Sequence, residues 1–116
     1  MITINNAAPE LVITAVLGEF TLQDFKELEN VVNHALQFHG RVNLLVDLRD
    51  MASFTLDVAW NEIRFTRQHA KDFERVALVA GSEWQEWSAW ITRVFTEADL
   101  QVFDDFDPAL AWVRGE

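Results

Sequence analysis

Residues 72–84, DFERVALVAGSEW, contain a continuous apolar run, Val76, Ala77, Leu78, Val79 and Ala80, with no polar alternation. A strand made of them must be covered on both faces, so the pattern predicts a central strand of an α/β sheet. Gly81 permits a sharp turn after it, and Ser82 with Gln85 three residues on reads as a capping box that starts the next helix at once.

The rest of the chain falls around this strand. Residues 1–5 alternate apolar and polar, residues 6–9 break the pattern, and residues 11–17 are rich in β-branched side chains, which predicts an antiparallel pair closed by Gly18. Thr21 and Asp24 form a variant capping box at the head of a long helix. Phe25, Leu28, Val32, Ala35 and Leu36 share one face of it, Gln23, Lys26, Glu27, Glu29 and Asn30 lie mostly on the other, and Gly40 is the expected terminator. Residues 42–48 form the next apolar run, which ends in the charge cluster Asp47, Arg49 and Asp50, where a strand should meet a loop continuing through Met51, Ala52, Ser53 and Phe54.

Ser53 or Thr55 can cap a second helix whose stripe holds Leu56, Ala59, Trp60, Ile63 and Ala70, with Val58 and Phe65 off the stripe, so that its apolar arc is wider than a surface helix needs. A third helix, about 83–97, carries Trp84, Trp87, Ile91, Val94 and Phe95 on one face with Trp90 beside them. Residues 100–103 make a short last strand, and Asp107 followed by Pro108 reads as the N-cap and first position of a closing helix with Leu110, Trp112 and Val113. The predicted order is β-β-α-β-α-β-α-β-α, one domain over residues 1–116 with about five strands and four helices, each helix able to cross over between parallel strands.

Charge changes this picture more than length does. With 19 acidic against 9 basic side chains the formal net charge is -10, which repels phosphate backbones and anionic headgroups and argues against nucleic-acid or membrane-surface partners. Cysteine is absent, so disulfides, thiolate metal sites and thiol nucleophiles fall away together. No basic region precedes an apolar run at the N-terminus and no stretch reaches the length of a membrane span, so the expected location is the cytoplasm.

Candidate chemistry is sparse. His34 and His39 are five apart on one helix, and no carboxylate or histidine sits at metal-pair spacing beside His69, so neither metal nor other cofactor is expected. His39 and His69 instead sit where a cation answers the negative end of a helix. Asp47 and Asp50 flank Arg49 at a strand's carboxyl end, a place catalytic carboxylates use, although an edge-of-sheet ion pair with a turn aspartate accounts for them more simply. Ser53 and Thr55 have no adjacent base and no nucleophile elbow, which leaves helix capping or phosphorylation at a helix N-terminus. The four glycines stand singly, against a phosphate-binding loop.

Five tryptophans are the unusual feature. A domain this small hardly buries all of Phe54, Trp60, Phe65, Trp84, Trp87 and Trp90, so the surplus should line a pocket or a partner surface, with Arg64 and Arg67 near an acidic group there.

The segment 53–84, with SFTL, Trp60, Phe65 and HAKDFERVALVAGSEW, and then DFDPALAWVR from Asp105, resembles the SpoIIAA-like group of small bacterial proteins over nearly the whole chain. That group is similar in fold to STAS domains, the sulfate transporter and anti-sigma-factor antagonist modules, and is compared with CRAL-TRIO lipid-binding domains. The resemblance implies a STAS-like mixed sheet. STAS regulators carry a phosphorylatable serine or threonine in an Asp-Ser-Ser-Gly-like turn; here the corresponding stretch is DLRDMASFTL, in which Asp47 and Ser53 or Thr55 hold comparable places, without the glycine or the tight Asp-Ser pairing.

The expectation is a non-enzymatic binding module. Its loop at 47–55 and helix start at 82–87, through Asp47, Arg49, Ser53, Phe54, Trp84 and Trp87, would meet a protein partner or a second copy. The alternative is a carrier of an apolar small molecule with an acidic head, held by Trp60, Phe65, Trp84 and Trp87 with Arg64 at the mouth. An enzyme using Asp47, Asp50 or His69 ranks last.

Overall fold

The structure of the protein, a computed structural model, describes residues 1–8, 10–54, 73–81 and 99–115. Five strands, β1 (Ile2–Ala8), β2 (Leu11–Phe20), β3 (Val42–Phe54), β4 (Phe73–Val79) and β5 (Asp99–Phe103), lie in that spatial order in one sheet. Only the β1–β2 pair is antiparallel; β2, β3, β4 and β5 run parallel. Two helices belong to the described residues, α1 (Leu22–His39) and α2 (Phe106–Val113), and the second and third predicted helices lie outside them.

The sheet is covered on both faces, as the unalternating run of β4 requires. Val76 and Leu78 join Phe25, Leu28, Val32 and Ala35 of α1 in one cluster, whereas Ala77 and Val79 join Ala109 and Val113 of α2 in the other. Successive β4 residues point to opposite faces, and Val76 to Val79 are all fully buried. Removing the Leu78 side chain beyond Cβ should therefore cost about 3 kcal/mol in lost transfer and an unfilled cavity.

α1 starts where its capping box places it. Thr21 accepts from the Asp24 N–H at 3.2 Å, and the Asp24 carboxylate accepts from the Thr21 N–H at 3.1 Å. Gly40 ends the helix at φ +64°, a conformation that disfavours a side chain, with its N–H on the Leu36 carbonyl at 3.2 Å. α2 starts earlier than the Asp107–Pro108 pair predicts. The Asp105 carboxylate accepts from the Phe106 N–H at 2.8 Å, and Asp107 stands in the first turn, where the helix dipole still favours a negative charge.

Two boundaries move for one reason. Gly18 does not close β2, and the stretch after Asp47 is not a loop: β2 runs on to Phe20 and β3 to Phe54, each supplying the other's hydrogen-bonding edge. Between Ala15↔Asp47 and Leu17↔Asp50 the chain spends two steps on β2 and three on β3, and between Gly18↔Met51 and Glu19↔Ser53 one and two. Each mismatch is a bulge in β3. The second lies opposite Gly18, whose φ of +69° suits a residue without Cβ. The bulges also break the alternation, because Leu48 and Met51, three apart, enter the same core cluster.

Candidate functional site

The carboxyl ends of the parallel strands gather most of the expected site residues that are described. Asp47 is the last residue of β3 to pair with β4, opposite Val79, and the next rung outward is the Ala80 N–H on the Phe103 carbonyl at 2.9 Å. Immediately beyond it comes the first bulge of β3. There the Arg49 N–H donates to Asp47 Oδ1 at 3.1 Å, so the side chain two residues back takes up a backbone group that the bulge has pulled out of register.

The Arg49 guanidinium closes on the same carboxylate twice, Nε to Oδ1 at 3.0 Å and a terminal nitrogen to Oδ2 at 2.8 Å. This fork-on-fork geometry gives direction as well as attraction. Burial pushes the Asp47 carboxyl up, but the Arg49 side chain, then its N–H, then its charge outweigh burial and leave the carboxyl below its ordinary value. Arg49 is held above its ordinary value first by the hydrogen bonds and charge of Asp47, with smaller contributions from Asp105 and Asp50. The Asp47 side chain is 14% exposed and that of Arg49 42%, so the acid is fixed in the protein and the cation faces outward. The predicted edge-of-sheet ion pair is therefore present, on a strand bulge instead of a turn.

Ser53 is half-buried in β3 opposite Glu19 of β2, and β3 continues to Phe54, so Ser53 is not the cap of a following helix. Thr55, Trp60, Arg64, Phe65, Trp84, Trp87 and the Ser82 capping box lie outside the described residues, as does the Phe54 side chain. So do His69 and the apolar site expected between the second and third helices. Among the described residues no three histidine, aspartate or glutamate side chains stand where they would hold a metal ion, and no helix is long and apolar enough to cross a membrane.

A second acid at this end has a local task. The Asp24 carboxylate accepts from the Met1 ammonium at 3.0 Å as well as from Thr21, and that ammonium also donates to the Leu17 and Glu19 carbonyls. Burial raises the Asp24 carboxyl, and these hydrogen bonds together bring it below its ordinary value.

Two features escaped sequence reasoning. Asp105 contributes to the field around Arg49 from the head of α2; sequence alone places the cap at Asp107, and the signal passed over is the equally cap-forming Asp105 two residues earlier. At the opposite end of the sheet a hollow of about 230 Å³ is lined by Asn43, Glu74, Arg75, Val113, Arg114 and Gly115. Arg75 donates to the Trp112 carbonyl at 2.8 Å and lies 5.4 Å from the Trp112 ring centre, a clasp between residues 37 apart that no local pattern announces.

No curated protein matches the chain. An uncharacterised protein of the DUF3478 family from Shewanella loihica, described as having a SpoIIAA-like fold, is 25% identical with a TM-score of 0.76, over 97% of this chain and 92% of that one. The anti-sigma factor antagonist SpoIIAA in its unphosphorylated form is 15% identical with a TM-score of 0.64, over the whole of both chains, a likeness of fold alone. The family model described as SpoIIAA-like matches residues 11–114, from the first residue of β2 to the residue that follows α2, and the chain belongs to that family.

Proposed function

We propose that the protein is a non-enzymatic regulatory module that binds a protein partner at the carboxyl end of its sheet, through Asp47, Arg49, Asp50 and Ser53 together with the segment 82–87. The observation that carries this reading is the outward-facing Arg49 guanidinium, fixed by Asp47 on a β3 bulge at the rim where open α/β sheets place their sites. A cation oriented this way meets an incoming carboxylate without first having to be ordered, which lowers the entropy lost on docking. Membership of the SpoIIAA-like family supports the same direction, since one structural neighbour is an antagonist of an anti-sigma factor, a protein that acts on another protein.

Affinity capture with the full chain should recover a partner that Arg49→Ala, Ser53→Ala and Trp84→Ala variants lose or hold less tightly. Identical partners for all four proteins would sink the proposal.

A further inference from the structure

We infer that the β1 edge is a homodimer surface, on which two copies pair antiparallel and extend the sheet across a two-fold axis. Among the described residues β1 pairs with β2 alone. The hydrogen bonds establish which backbone groups it leaves over. Met1 and Leu17 exchange both bonds, at 2.8 and 3.1 Å, so with alternation along an antiparallel ladder Thr3 and Asn5 also face β2, while the N–H and C=O of Ile2 and Ile4 face away from it, toward an edge that no described strand pairs with.

What covers this edge is indicated by charge. The chain carries -10 overall, so a second copy is repelled from most of the surface. β1, ITINNAA, has no charged residue in its seven positions, whereas β5, at the other edge, has five residues, begins with Asp99 and runs into Asp104 and Asp105. β5 thus has the charged, short form that blocks edge pairing, and β1 lacks it. Self-pairing of β1 opposes no like charges.

The open backbone groups also choose a register. Ile2 bonded to Ile4 of the second copy, and Ile4 to Ile2, places the two-fold at Thr3 and sets two isoleucine pairs side by side on the face that α1 covers, where Ile2 and Ile4 are only partly buried in the single chain. Shifting the axis to Ile4 would set Ile2 against Asn6 instead. Cross-strand β-branched pairs favour the first arrangement.

Sedimentation velocity and light scattering on the full chain test this, with circular dichroism to verify folding of each variant. The wild-type protein should be a dimer that dissociates on dilution. Thr3→Lys, which sets two cations across the axis at an exposed position, should weaken it about fivefold or more. An equimolar mixture of Thr3→Lys and Thr3→Asp chains should recover a mixed dimer, which only residue 3 facing residue 3 produces. A wild-type chain that stays monomeric at every concentration, a Thr3→Lys dimer as tight as wild type, or a Lys/Asp mixture no tighter than Thr3→Lys alone would each overturn the inference. Arg49→Ala should leave the dimer intact, and Thr3→Lys should leave partner capture intact, so this surface and the carboxyl-end site fail separately.

Discussion

The two ends of the parallel sheet use arginine in opposite ways. At the amino end Arg41 donates to the Phe73 carbonyl at 2.8 Å and Arg75 to the Trp112 carbonyl at 2.8 Å, so both guanidiniums satisfy backbone acceptors. Arg75 additionally answers the negative end of α2 and packs on its tryptophan. At the carboxyl end Arg49 is hydrogen-bonded, among the described residues, to an aspartate two residues away and leaves much of its surface in solvent. The first arrangement joins elements distant in sequence and stabilises the fold; the second is local and screened by water, so it contributes orientation more than stability. An arginine of this kind is what the proposed partner site calls for.

This contrast can be broken most easily at the amino end. Arg75→Ala should lower unfolding free energy by about 2 kcal/mol, since it orphans the Trp112 carbonyl and removes the ring contact, and a urea titration would measure it. A loss no larger than that of an ordinary surface substitution would mean the clasp is incidental. Somewhat smaller is Thr21→Ala, which opens the α1 capping box at the carboxyl end and should cost about 1 kcal/mol by the same titration, while Thr21→Ser should restore most of it.

Acid titration separates the carboxylates from the arginines. Asp24 and Asp47 both lie below the ordinary 3.8, so the stability they confer is present above that value and disappears as pH falls through their lower folded-state values. Thermal unfolding from pH 6 down to about pH 2 should show the loss beginning near pH 4, and the Asp24→Asn variant should lose less over this range than the wild type. The smallest effect on stability belongs to Arg49→Ala. Its melting temperature should fall only slightly, by the stability linked to Asp47, while an NMR titration shows the Asp47 carboxyl moving up toward the ordinary range; a fall as large as that of Arg75→Ala would erase the distinction between the two ends.

The α1 segment was legible residue by residue because its signals are local: Thr21 and Asp24 are one turn apart, Phe25, Leu28, Val32 and Ala35 repeat at helical spacing, and Gly40 ends the run. β4 was equally plain, since a strand covered on both faces cannot alternate. The charged string Asp47, Arg49 and Asp50 misled, because charges near a strand's end resemble a loop when the neighbouring strand cannot be seen. The same limit moved the start of α2, where Asp105 and Asp107 both fit a cap locally and only the fold selects between them.

By itself the sequence determined the type and order of the elements in the described residues and the pairing of Asp47 with Arg49, whose two-residue separation brings them together in extended chain. Only the tertiary structure decided how far β2 and β3 run, where the β3 bulges fall, and that Asp105 and Arg49 share one rim while Arg75 and Trp112 meet at the other. A strand ends where its neighbour stops offering donors and acceptors, and a contact between residues far apart depends on how the sheet is stacked; neither is written in the residues on either side.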